Sequence, residues 1–129
     1  MSKAKQVIVM RTDLGMRRGK QIAQGAHASL GAILNYGCKS DNDQIVLSLH
    51  NKPVQEWLAG KFTKICVAVN SEQELLDIYQ KAVDNKVNVK LIKDAGLTEF
   101  NGVPTLTCLA LGPDYPENID PITGHLKLL

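Results

Sequence analysis

An α/β fold is predicted for this chain: one compact domain over residues 1–129, with a small mixed, mostly parallel four-stranded sheet and helices on both faces. Three observations carry that expectation. Short β-branched runs alternate with helical stretches, the pattern of helices packed on a sheet. Two glycine-bearing turn regions follow strand-like runs and lead into the next element. The 129 residues are 44% hydrophobic, which supports one sizeable core but leaves too little chain for two domains.

The first run, KQVIVMR (Lys5 to Arg11), reads as a buried strand, and residues 12–19, with two glycines, as the loop after it. A helix then starts near Gly19 and ends at Gly37. Its apolar side is assigned to Ile22, Ala26, Leu30 and Ile33, spaced by four, four and three, while Ala23, Ala28, Gly31 and Ala32 keep its profile thin enough to approach a sheet closely. Residues 38–52 leave strand and helix open, since QIVLSL suits either, and Pro53 opens a short helix through Trp57 to Gly60. Phe62 to Val69 (FTKICVAV) is a strand. The SEQE that follows, Ser71 to Glu74, can cap a helix reciprocally. That helix carries Leu75, Leu76, Ile78, Tyr79 and Val83, and VNVKLI (Val87 to Ile92) is the next strand. Residues 62–92 thus read as one βαβ unit with parallel pairing. A second turn region, KDAGLTEFNG, leads to a last strand, Val103 to Leu111, expected to fold back antiparallel on a neighbour. Pro113, Pro116 and Pro121 then break the chain before the tail TGHLKLL.

The formal net charge of +2 permits an acidic partner such as RNA through a local patch without arguing for one. Cys38, Cys66 and Cys108 form no close pair, which fits a reducing compartment, and the last two sit in apolar runs as small buried thiols do. No C-x-x-C pair or H-E-x-x-H helix is present, and His27, His50 and His125 are far apart in sequence, so no metal site is expected. VIVM (Val7 to Met10) is the only apolar run near the N-terminus, too short for a signal segment or a membrane span. A cytoplasmic protein is expected.

The chemistry concentrates in two turns. In MRRGKQ, the cations Arg17, Arg18 and Lys20 crowd a helix N-terminus, where the backbone dipole is already positive; a bound anion such as phosphate reverses that penalty. Ligands in open α/β sheets bind beyond the carboxyl ends of parallel strands, which here lead into residues 12–20 and 93–102. If those strands are neighbours, the cationic loop and the Asp94 loop face one cleft. Lys20, Gln24 and His27 recur at intervals of four and three in one polar stripe. With Asp94 and Thr98 they would suit water-mediated hydrolysis, a carboxylate orienting or deprotonating water and a lysine stabilising negative charge. The same residues also fit structural roles: a solvated Lys20, a loop-capping Gln24, a core His27, and an Asp94 that is ordinary turn vocabulary.

RTDLGMRRGKQIAQGAHASLGA, KLIKDAGLTEF, CLALGP and TGHLKLL resemble, in order and over most of the chain apart from residues 38–61, the motifs of the type 2 (archaeal and eukaryotic-type) peptidyl-tRNA hydrolases. The resemblance implies a compact α/β domain, commonly a homodimer, that cleaves the ester joining a peptide to the terminal ribose of tRNA. It implies no metal or organic cofactor and no membrane. Lys20, Gln24, His27, Asp94 and Thr98 match the family's functional residues. Lys64, Thr123 and Gly124 match positions given supporting roles, and Arg17 and Arg18 would hold acceptor-end phosphates. RNA recognition through backbone and shape would weaken as salt rises. This chain departs from the pattern at Arg18, where lysine is usual, at Gly25, where cysteine is usual, and at Leu97 and Glu99, where many members have arginine and glutamine. The last two remove a cation and add an anion beside Asp94. They leave open a second reading, a diverged, non-catalytic module that binds RNA or a protein.

Overall fold

The structure, a computed structural model, describes residues 3–97 and 99–129. Its elements are β1 (Lys5–Arg11), α1 (Arg18–Leu34), β2 (Gly37–Lys39), β3 (Ile45–Leu47), α2 (Lys52–Ala59), β4 (Lys64–Val69), α3 (Glu72–Asp84), β5 (Val89–Asp94), β6 (Thr105–Asp114) and α4 (Pro116–Thr123). Four strands form one sheet in the order β4-β1-β6-β5, and β2 and β3 form a separate hairpin. The open middle segment is therefore both things in turn: Ile45–Leu47 takes the strand option, and Asn51 caps α2 by accepting from the Val54 N–H at 3.4 Å.

The mixed four-stranded sheet and the helices on both faces match expectation; the pairing within the sheet differs. β1, β4 and β5 run in one direction, yet only β1 and β4 are bonded in parallel, because β6 inserts between β1 and β5 and is antiparallel to both. The β4-α3-β5 crossover consequently spans two strands, and the parallel pair expected within residues 62–92 does not form. A crossover helix permits that jump, since it links strand directions without fixing which neighbour intervenes.

Alternation along β1 divides the core. Val7 and Val9 pack with Val67, Val69, Leu109 and Leu111 under Leu75 and Ile78 of α3 and Ile119 and Ile122 of α4. Ile8 and Met10 point the other way, to Ala28 and Ala32 of α1. Each fully buried aliphatic side chain of this kind contributes about 1.5–3 kcal/mol relative to exposure. The expected apolar side of α1 is corrected here: Ile22 and Leu30 are 68% and 60% exposed, and Gln24, Gly25, Ala28, Ala32 and Ile33 are buried. Small residues win the sheet-facing position because they let the helix axis come close, and the large ones are left on its flank. Gly31 marks the closest approach to β5, where a Cβ would meet the Lys90 side chain at 2.8 Å.

The cap at Ser71 forms as read, its Oγ accepting from the Glu74 N–H at 3.0 Å, while the Glu74 carboxylate reaches one residue further back, to the Asn70 N–H. The proline-rich segment is not merely a break: Pro116 begins α4 at the first turn, where its missing N–H costs nothing. Cys66 is exposed rather than buried, because α1 lies across β1, β6 and β5 and leaves β4 bare on that face; Cys108 is buried as expected. The tail returns to the outer edge of β4, with the Ala68 N–H donating to Lys127 O at 2.9 Å, the Leu129 N–H to Cys66 O at 3.0 Å, and Leu128 bridging Val67 antiparallel.

Candidate active site

β1 and β5 both end on the side of the sheet where α1 begins, so the two turns singled out in the sequence meet there. Lys20 Nζ donates to Asp94 Oδ1 at 3.0 Å, with the two side chains 13% and 15% exposed. The Gln24 Nε2 amide donates to the same oxygen at 3.2 Å, and the Gly96 N–H donates to Asp94 Oδ2 at 2.9 Å. Phe100 lies beneath the ammonium, its ring centroid 5.6 Å from Lys20 Nζ. Lys20 and Gln24 are one turn apart on α1, and Asp94 is the last residue of β5. Neither contact is local in sequence; the site exists because α1 packs lengthwise along β5.

A residue that sequence reasoning missed completes this network. Thr107 of β6 is fully buried and donates from Oγ1 to Gln24 Oε1 at 2.6 Å. Its neighbour Cys108 donates from Sγ to the Gln24 carbonyl at 3.3 Å. Two consecutive strand residues ordinarily face opposite ways; here the β5–β6 register slips between Ile92 and Lys93, and the extra β6 residue of that bulge turns Thr107 to the same face as Cys108. With its oxygen held by Thr107, the Gln24 amide can only present its NH₂ to Asp94. Arg11, also missed, braces the loop before α1: Nη1 donates to Leu106 O at 2.9 Å, and Nε and Nη2 grip Asp13 at 3.0 and 2.6 Å. The advance signal was slight: Thr107 is a polar residue between Leu106 and Cys108 in β6, and Arg11 closes the apolar run of β1.

Burial alone would raise the Asp94 carboxyl, but the bonds from Gly96, Lys20 and Gln24 together outweigh it and hold the group below its ordinary value. The sign of the linkage follows. A depressed folded value adds stability above the unfolded carboxylate range of about 4, and that stability is lost as pH falls through the lower folded value. Urea unfolding of wild type and Asp94→Asn at pH 7 and pH 3 should therefore show wild type losing ground to the variant on acidification. A difference that does not change with pH would contradict this. Burial pushes the Cys108 thiol up to about 11, which removes it as a nucleophile.

The remaining candidates divide by position. Arg17 is the N-cap of α1, which has no side-chain cap and no acidic residue in its first turn; its Nε lies 3.9 Å from Glu99 Oε1. Arg18 lines a groove on the opposite flank of α1. His27 is exposed on α1, not in the core. Lys64 is not brought to Asp94: it pairs in register with Gln6 at the far end of β1 and on the far edge of the sheet, over Trp57 at 5.0 Å. Thr123, buried and bonded to Ile119 O, and Gly124 lie on the face covered by α3 and α4. Thr98 lies outside the described residues. Among the described residues, no three His, Cys, Asp or Glu come together as a metal would require, and no helix is long and apolar enough to cross a membrane.

The family model described as peptidyl-tRNA hydrolase PTH2 matches residues 4–129. Relatives named peptidyl-tRNA hydrolase include one from Methanocaldococcus jannaschii, 46% identical over 97% of this chain and 99% of its own length, and one from Methanothermobacter thermautotrophicus, 41% identical over the same shares. One from Nanoarchaeum equitans is 43% identical over 96% of this chain and 97% of its own. A match across both core faces, both turns and the tail makes this chain a member of the peptidyl-tRNA hydrolase PTH2 family.

Proposed function

We propose that this protein hydrolyses the ester between the peptide and the terminal ribose of peptidyl-tRNA, at the pocket shared by Lys20 and Asp94. The observation that carries the reading is the 3.0 Å ammonium–carboxylate pair beside a cationic helix N-terminus, in a chain whose relatives are named for this activity. Water adds to the carbonyl carbon, the bond to the ribose oxygen breaks, and the proton lost by water ends on that oxygen. The Lys20 ammonium faces the oxyanion that forms in between. A carboxylate held as low as Asp94 is a weak base, so its part is to orient water through its unused lone pair and to fix the ammonium. Gln24 and Thr107 keep that carboxylate in place. Arg17 and the open N–H groups of α1 receive acceptor-end phosphate. The proposal carries with it a cytoplasmic site of action, where tRNA is charged and used.

The test is release of N-acetyl-amino acid from N-acetyl-aminoacyl-tRNA by the purified protein. Turnover above the uncatalysed rate is expected. Retention of tRNA on the protein without turnover would instead favour a binding module.

Glu99 bears on the same phosphate path. It stands 3.9 Å from Arg17, which is 90% exposed, so an incoming phosphate competes with a resident carboxylate. Glu99→Gln is expected to raise kcat/KM roughly three- to tenfold at low salt, a gain that shrinks as screening shortens the field. An unchanged or lower value at low salt would remove Glu99 from the phosphate path.

The reading includes a homodimer. A groove of about 750 Å³ between α1 and α2 is lined by Ile22, Leu30, Trp57, Phe62 and Leu129, an apolar surface of the kind that marks association. Ile22→Asp combined with Leu30→Asp should sediment as a monomer where wild type sediments as a dimer. A monomeric wild type at micromolar concentration would contradict this assignment.

A further inference from the structure

The two edges of the main sheet are treated differently. The outer edge of β4 is covered by the chain's own tail, through Lys127, Leu128 and Leu129. β5, the opposite edge strand, has β6 as its one strand partner among the described residues. The Gly112 N–H donates to Asn88 O at 2.8 Å, which fixes the alternation: Lys90 and Ile92 turn their main-chain groups inward to β6, and Val89, Leu91 and Lys93 turn theirs outward. Among the described residues, the Val89 carbonyl is taken by Asn35 Nδ2 at 3.1 Å, and the outward groups of Leu91 and Lys93 have no bonding partner. This free edge runs directly into Asp94.

We propose that the peptide portion of the substrate binds as an added strand on the open edge of β5, parallel to it. The inference rests on the ester-hydrolase reading above and specifies how that site holds its substrate. Direction follows from chemistry: the ester carbonyl is the C-terminus of the peptide and must lie at Asp94 and Lys20. The peptide then extends toward its N-terminus back along β5, from Lys93 past Leu91. Successive outward residues of β5 are about 6.8 Å apart, so the free stretch spans three or four substrate residues. Main-chain pairing also suits an enzyme that must accept peptides of any sequence, because the N–H and C=O groups it uses are common to all of them. Tail coverage of β4 leaves β5 as the edge where such pairing can occur.

The experiment is a substrate series with the wild-type protein: tRNA carrying an N-acetylated amino acid, or N-acetylated di-, tri- and tetrapeptides, with kcat/KM measured for each. A gain of roughly tenfold from one residue to four is expected, carried mainly by KM, with no further gain beyond. N-methylation of successive amides in the tetrapeptide should cancel the gain at alternate positions and spare it between them. Amide exchange at Leu91 and Lys93 should slow when a tetrapeptide amide-linked to 3′-amino-3′-deoxyadenosine is bound. Cleavage of every substrate with no dependence on length or on N-methyl position would overturn strand addition and leave the esterase reading standing. Cleavage of none would remove both.

Discussion

Lys20→Ala is expected to lower kcat/KM for N-acetyl-aminoacyl-tRNA by roughly 10²–10³-fold, the usual loss when one preorganised group facing a developing oxyanion is removed. The size of the effect follows from where the ammonium sits. It is 13% exposed, bonded to Asp94 at 3.0 Å, and lies over the Phe100 ring, so it is held in place before substrate arrives and is poorly screened by water. Among the described residues, the truncation also leaves Asp94 with Gln24 and Gly96 as its donors. Lys20→Arg keeps the charge but spreads it over a planar fork that cannot occupy the same point, and should recover only part of the rate. Single-turnover cleavage at saturating protein separates this from weaker binding: the loss should persist in the chemical step. Recovery of the wild-type rate at saturation would reduce Lys20 to a tRNA contact.

Gly96→Ala is expected to destabilise the fold by roughly 2–4 kcal/mol through backbone strain and overpacking, a fall in Tm of about 8–15 °C at this chain length. Gly96 has φ +83°, and a Cβ there would stand 2.3 Å from the Val103 carbonyl oxygen and 2.7 Å from the Val103 nitrogen. Both obstacles are main chain, so no side-chain rearrangement relieves them. The same residue donates the N–H that holds Asp94 Oδ2 and accepts from the Gly102 N–H at 2.8 Å, so any shift that admits the methyl group moves the Asp94 carboxylate. Activity should therefore fall even at temperatures where the variant is folded. Thermal unfolding and turnover at 20 °C check the two halves. A Tm within 2 °C of wild type, itself less than about half a kcal/mol, would show that the turn can yield.

What could be read in advance depended on whether the deciding contacts were local. The spacing of Lys20 and Gln24 on one helix and the Asp-Ala-Gly turn after a strand are patterns of a few residues, and they pointed to side chains that meet in one pocket. Ser71 and Glu74 announced their cap for the same reason. β6 entering between β1 and β5 was not legible, because a βαβ pattern states direction but not adjacency, and the parallel pair expected within residues 62–92 was lost to that insertion. The buried face of α1 does not follow the spacing of Ile22, Ala26, Leu30 and Ile33, of which Ile33 alone is buried; close packing on the sheet selects Gly25, Ala28 and Ala32 over Ile22 and Leu30. Thr107 was invisible for a third reason: a bulge changes which way one strand residue faces, and no spacing rule encodes it. The separation of Lys64, Thr123 and Gly124 from Asp94 is likewise a matter of sheet order and of which face α4 covers.

Asp94, Lys20 and their supports act as one unit in this account, and kcat/KM for N-acetyl-aminoacyl-tRNA in wild type, Lys20→Ala, Asp94→Ala and the double variant measures that directly. Residues that work together lose their joint effect once, so the double variant should be within about threefold of the worse single one. A double variant whose loss equals the product of the two single losses would show that ammonium and carboxylate act independently, and the shared pocket would not be the catalytic centre.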